Sequence, residues 1–126
     1  MLFNSHKQTS MEIEIFEQAD VLRNLLDTHI SDDNYILFDI PVDISKVVFV
    51  ASGSSYHCAR YAADLFGNVA GMEARAIYSS EFLLKAAIPH ESDILYVFIT
   101  QSGETSDTNS ALRKAKEFGM RTLCIT

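Results

Sequence analysis

Apolar residues recur along this chain in two rhythms, and the alternation between them sets out the elements. From Met11 to about Leu26, the residues Ile15, Phe16, Ala19, Leu22 and Leu26 fall on one face at helical spacing. Ser31-Asp32-Asp33-Asn34 is a turn signal, and the mixed stretch Tyr35 to Ile44, interrupted by Pro41, reads as loop or short helix. Continuous apolar runs then appear, the mark of strands buried on both faces. Lys46 to Ala51 is the first, followed by a helix from about Tyr56 to Val69 that Gly71 stops. Glu73 to Tyr78 is a second strand, and a short helix opens at Ser79-Ser80 with one of these serines as its cap, in a region that Pro89 ends. Asp93 to Thr100 is a third strand. A helix from about Glu104 to Phe118 follows, carrying Ala111, Leu112, Ala115 and Phe118 on one face, with Gly119 as its stop. Arg121 to Ile125 is the fourth strand. Strands alternating with helices at this spacing predict βαβ units, an α/β fold with a parallel sheet between helical layers. Met1 to Ser10 reads as a tail or linker, and residues 11–126 as one domain, expected to be cut short after its fourth strand.

Two of these strands end in the same way. Val47 to Ala51 runs into Ser52-Gly53-Ser54-Ser55, and Tyr96 to Ile99 runs into Thr100-Gln101-Ser102-Gly103-Glu104-Thr105. In an open parallel sheet the ligand crevice lies outside the carboxyl ends of the strands. There the free N–H groups and positive dipole end of a helix can hold an anion, and hydroxyls add neutral donors. Helix capping accounts for the same serines and threonines, and the two roles are compatible. Gly53 and Gly103 allow close backbone approach to a ligand.

Composition narrows the ligand. The 126 residues carry a formal charge of −7, which argues against general nucleic-acid binding and against an anionic membrane surface. An acidic chain that binds an anion has to do so through local dipoles and hydroxyls. Cys58 and Cys124 have no metal-ligand spacing and read as buried reduced thiols. With no secretory signal and no apolar stretch of spanning length, the expected location is the cytoplasm. Several residues near the loops have ordinary readings. Glu104 is expected in a first helical turn, facing away from any anion. Glu81 reads as a first-turn carboxylate or subunit contact more than a base, and His57 as structural. Tyr56 and Tyr61 read as packing residues, and His6, His29 and His90 as solvated.

Four segments together resemble one family. Met11-Glu12-Ile13-Glu14-Ile15-Phe16-Glu17-Gln18 is similar to its opening "M-x-x-E-I-[FY]-E-Q", with Ala19 where proline is usual. Ala51-Ser52-Gly53-Ser54-Ser55-Tyr56 resembles "A-C-G-T-S-Y", with Ser52 for Cys and Ser54 for Thr. Ser80-Glu81-Phe82 matches "S-E-F", and Thr100 to Thr108 resembles "S-Q-S-G-E-T-A-D-T". These are the marks of the sugar isomerase (SIS) phosphosugar-binding domains, and most closely of the first such domain of the isomerising glutamine–fructose-6-phosphate aminotransferases, the glucosamine-6-phosphate synthases. The resemblance implies a flavodoxin-like three-layer αβα sandwich. It implies a hexose 6-phosphate ligand, fructose 6-phosphate foremost, no cofactor, and a homodimer. It places Ser54 and Ser55 at the sugar phosphate and Gln101, Ser102 and Thr105 around its oxygens; Thr100 stands where the family has serine. The family's catalytic groups and its glutaminase fall outside the motifs found here, so the chain alone is expected to bind without turnover and no catalytic residue is assigned. Two further readings stand beside this one: a sugar-phosphate deglycase or isomerase of the same superfamily, and a phosphosugar-sensing regulatory module. A dinucleotide-binding domain is disfavoured, because Ser52-Gly53-Ser54-Ser55 lacks the G-x-G-x-x-G pattern.

Overall fold

A computed structural model describes residues 9–31, 34–35, 43–85, 87–89 and 91–126. The chain divides into two compact units, Met1–Ile40 and Pro41–Thr126. His6, His90, most of the tail and most of the Tyr35 to Ile44 stretch lie outside the described residues.

In the first unit, helix α1 runs Ser10–His29 and is followed by two short antiparallel strands, β1 (Ile30–Ser31) and β2 (Asn34–Tyr35). The helix starts one residue before the predicted position because Thr9 caps it. The Thr9 hydroxyl accepts from the Glu12 N–H, and the Glu12 carboxylate accepts from the Thr9 N–H. This reciprocal pair satisfies two of the helix's orphan donors, and its T-x-x-E spacing is visible in the sequence. The face bearing Ile15, Phe16, Leu22 and Leu26 is exposed. His29 is half-buried, with Nδ1 3.0 Å from the Leu25 carbonyl, rather than solvated.

The second unit contains the sheet. Its elements are β3 (Lys46–Ala51), α2 (Ser54–Asn68), β4 (Glu73–Tyr78), α3 (Ser79–Leu84), β5 (Ile94–Ile99), α4 (Ser106–Glu117) and β6 (Arg121–Ile125). The four strands are all parallel and lie in the order β4-β3-β5-β6. The two with the most continuous apolar sequence, β3 and β5, occupy the centre, where both faces are covered. Alternate residues serve opposite layers. Val47, Phe49 and Ala51 of β3 and Leu95 and Val97 of β5 pack with Ala59 and Ala63 of α2. Val48, Val50, Ile94, Tyr96 and Phe98 point the other way, to Phe82 of α3 and Ala111 and Ala115 of α4. The alanines let these helices approach the sheet closely. The completely buried Phe82 ring meets Tyr96 and Phe98 edge-on, with centroids 5.7 and 5.8 Å away. The result is the expected flavodoxin-like three-layer arrangement.

Polar contacts fasten the layers at their ends. Lys114 of α4 donates to the Leu83 and Lys85 carbonyls at 2.8 and 2.9 Å, satisfying the carboxyl end of α3. Arg121, opening β6, grips Asp43 with two parallel bonds of 2.7 and 2.8 Å, tying the edge strand to the segment that leads into β3. The Arg121 hydrogen bonds hold the Asp43 carboxyl below its ordinary value of 3.8. A depressed carboxylate contributes stability that is complete above its unfolded pKa and is lost as pH falls below it. The melting temperature of Asp43→Asn should therefore lie below that of the parent chain at neutral pH. The difference should close as pH falls below about 3.8, in thermal unfolding followed by circular dichroism.

Candidate functional site

Because β3 and β5 are neighbours in parallel register, Ala51 beside Ile99, the segments that follow them leave the sheet side by side. Between them is an open cleft of about 240 Å³ lined by Ser52, Gly53, Ser54, Ser55, Gln101, Ser102 and Thr105. Every lining residue is uncharged. A second hollow, of about 190 Å³, lies at the amino ends of the strands and is lined by residues that include Lys46, Glu73, Arg75 and Glu91. Lys46 and Glu73 there already form an ion pair at 3.4 Å, and the mixed charges favour no single ligand sign.

The first loop turns at Gly53, whose φ of 57° and ψ of −136° belong to a region that side-chain-bearing residues avoid. The turn starts α2 at Ser54, two residues before the predicted start. Ser54 and Ser55 are thus in the first helical turn and do not cap it; no side chain caps α2 at all. The Tyr56 N–H donates to the Gly53 carbonyl at 3.2 Å, no side chain caps the Ser54 and Ser55 N–H groups, and both serines line the cleft, which removes capping as the explanation for them.

The second loop is tied internally. Thr105 is the N-cap of α4, but its hydroxyl lies 3.1 Å from that of buried Thr100 instead of capping an N–H. Thr100 is therefore a support for Thr105 and not part of the cleft surface. The Ser102 hydroxyl accepts the Glu104 N–H at 3.2 Å. Gly103, at φ 68°, gives its carbonyl to the Asn109 side-chain amide at 2.9 Å. Asn109 is a loop-holding residue that the sequence reading passed over. Glu104 precedes α4 instead of opening it, and Asp107 is the first-turn carboxylate.

Other expectations need correction. Ser79 does not cap α3: it is helical, 0% exposed, and 2.9 Å from the Thr108 hydroxyl. Ser52, outside the predicted set, lines the cleft and accepts from Thr108 at 3.4 Å. Cys58 and Cys124 are exposed, not buried: Ala59 and Ala63 take the inner face of α2, and Cys124 lies near the end of the edge strand β6. Tyr61 is exposed rather than packed. Tyr56 does pack, stacked on Tyr78 with centroids 3.6 Å apart. His57 is exposed on α2, its ring 6.3 Å from that of Tyr56. Glu81 pairs with Lys85 at 3.0 Å.

The family model of the SIS domain matches residues 42–126. The chain belongs to the SIS domain family. Among its relatives is the isomerising glutamine–fructose-6-phosphate aminotransferase of Campylobacter jejuni, 37% identical over 119 residues, which are 91% of this chain and 20% of that protein. The aminotransferase of the same name from Halobacterium salinarum is 37% identical over 120 residues, 90% of this chain and 20% of the relative. The chain thus spans about a fifth of the length of the curated relatives it matches. Among solved structures, the C-terminal domain of glucosamine-fructose-6-phosphate aminotransferase from Francisella tularensis superposes with a TM-score of 0.79 at 26% identity, covering 99% of this chain and 36% of that one. A Clostridium difficile protein described as a candidate phosphosugar isomerase superposes at 0.66 with 16% identity over 94% of this chain and 32% of its own, a likeness of fold alone.

Within this SIS domain, Gly53 is the position where backbone geometry decides the site. An added Cβ would meet no atom within 4 Å, so substitution is opposed only by the backbone conformation. Gly53→Ala should lower the unfolding free energy by roughly 1–3 kcal/mol in urea titrations. A value within error of the parent chain would show that the loop relaxes without strain.

Proposed function

We propose that this SIS domain binds a hexose 6-phosphate, fructose 6-phosphate foremost, with the phosphate in the cleft between the two loops. The observation that carries the reading is the cleft itself: seven uncharged lining residues, and two helix starts at which no side chain caps the N–H groups. Phosphate oxygens only accept hydrogen bonds, and a helix amino terminus supplies donors with a favourable dipole. In this assignment Ser54, Ser55, Gln101, Ser102 and Thr105 donate to the phosphate. Thr100 holds the Thr105 hydroxyl in place, and Gly53 and Gly103 bring backbone N–H groups close. The names of the relatives support fructose 6-phosphate as the ligand and a glucosamine-6-phosphate synthase-type enzyme as the setting.

Moving a proton between adjacent sugar carbons needs a base within hydrogen-bond reach. None of the seven lining side chains is a carboxylate, imidazole or amine. The chain's part in such an enzyme is accordingly to hold the sugar phosphate while groups from elsewhere do the chemistry. We place that work in the cytoplasm; among the described residues no helix is long and apolar enough to cross a membrane. Pairing with a second copy, as the family resemblance implies, is part of the same proposal.

Calorimetry with fructose 6-phosphate checks the site. Ser102→Ala should cost about 1.5–3 kcal/mol of binding free energy, the worth of a hydrogen bond to a charged group. Fructose without phosphate should bind far more weakly, and equal binding of the two would contradict a phosphate-led site. The purified chain should not convert fructose 6-phosphate to glucose 6-phosphate; turnover would place a base at the cleft and favour a self-sufficient isomerase. Sedimentation should show dimers, and a monomer at high concentration would refute the pairing.

A further inference from the structure

Beneath the first loop is a run of three hydroxyls. Ser79 Oγ, at the start of α3, lies 2.9 Å from Thr108 Oγ1 on α4, and Thr108 Oγ1 donates to Ser52 Oγ at 3.4 Å. Ser79 is 0% exposed and Thr108 2% exposed, whereas Ser52 is half-buried and lines the cleft. Each hydroxyl has one proton to give, so the run can point in only two directions.

If it points inward, Ser52 donates to Thr108 and Thr108 to Ser79. The Ser79 proton is then left in the interior, where no other acceptor for it exists among the described residues, and a buried unsatisfied donor carries its full desolvation penalty. If it points outward, Ser79 donates to Thr108 and Thr108 to Ser52, every buried proton is used, and the Ser52 proton is left over at the cleft. Burial at one end and openness at the other select the outward direction. Successive hydroxyls polarise one another, so the last O–H in the run is a stronger donor than an isolated serine.

We propose that Ser52 is a further hydrogen-bond donor to the bound phosphate, and that Thr108 and Ser79 are positioning residues that aim its proton into the cleft. This rests on the phosphosugar site described above and deepens it. Loss of the Ser52 hydroxyl removes the donor. Loss of the Thr108 hydroxyl frees Ser52 to turn its proton away and present lone pairs to an anion. The two losses act on one hydrogen bond and are therefore not additive.

The test is calorimetric titration of the full 126-residue chain with fructose 6-phosphate, each variant first checked by thermal unfolding. Ser52→Ala should weaken binding about tenfold, and Ser52→Cys, which substitutes a weak thiol donor, by less. Thr108→Val should weaken it by a similar factor in the parent chain but leave it unchanged in a Ser52→Ala background. Thr108→Ser, which restores the hydroxyl, should bind as the parent does. A purely structural role for Thr108 would move the melting temperature and would weaken binding equally in both backgrounds, which would overturn the proposal. So would parent-like affinity in Ser52→Ala, a half-exposed position whose result stands even if Thr108→Val fails to fold. Ser102→Ala separates the two levels: if it weakens binding while Ser52→Ala does not, only the hydroxyl run is wrong. If the parent chain takes up no fructose 6-phosphate, or Ser102→Ala binds as the parent does, the phosphate site itself is wrong and the Ser52 role falls with it.

Discussion

The parallel pairing of β3 with β5 is the constraint on which the rest of the second unit depends. Six residue pairs, Lys46 with Ile94 through Ala51 with Ile99, run in register through the centre of the sheet. Both strands are buried on both faces, so a slip of β3 by one residue would turn Val47, Phe49 and Ala51 from the α2 layer to the α3–α4 layer, out of step with Leu95 and Val97 of β5. The apolar contacts that forbid that slip also fix where the two strands stop. They end level with each other, and the serine-rich and threonine-rich loops that follow are adjacent as a consequence. Packing sets the position of the cleft, and the loops supply its chemistry.

That chemistry is built without charge, in a chain whose formal charge is −7. Positive side chains lining such a cleft would hold an anion by Coulomb attraction, which salt screens. Hydroxyls and helix N–H groups act at contact distance and through geometry, so their worth depends on being held still. The loops show how that is arranged: Thr100 holds Thr105, Asn109 holds Gly103, and Thr108 reaches Ser52. Each support comes from the end of β5 or from the first turn of α4, so the same short stretch of chain fastens both rims of the cleft.

The supports also explain why hydroxyl residues are so dense around the loops. Capping, the usual reason for serine and threonine at a helix start, fails for Ser54, Ser55 and Thr105, none of which gives its side chain to an N–H at the start of its helix. It holds at Thr9, where the T-x-x-E pair is complete. Identical residue types thus do opposite jobs in one chain. What separates them is the partner at hand: at Thr9 a glutamate three residues on completes a reciprocal cap, at α2 Gly53 takes the cap position ahead of the two serines, and at α4 the Thr105 hydroxyl is drawn to Thr100.

The sequence by itself determined the strands. β3, β4 and β6 have the bounds that the apolar runs predict, and β5 is one residue shorter at each end. The central strands β3 and β5, buried on both faces, carry almost no polar residues, so their limits are written in composition; the edge strands β4 and β6 were bounded instead by the glycines before them and the helix signals around them. The parallel αβα architecture and the two loops at strand ends were legible for the same reason. Only the tertiary structure decided which way individual side chains face and what they touch. Cys58 and Cys124 look like core residues in isolation, yet Ala59 and Ala63 take the inner face of α2, Cys124 lies on the edge strand β6, and both thiols are exposed. The start of α2 depended on the backbone of Gly53, and the partners of Ser79, Thr100 and Thr108 come from up to 56 positions away along the chain. Periodicity reports burial averaged over a face; hydrogen bonds between distant residues depend on distances of a few tenths of an ångström, which exist only once the layers have closed on one another.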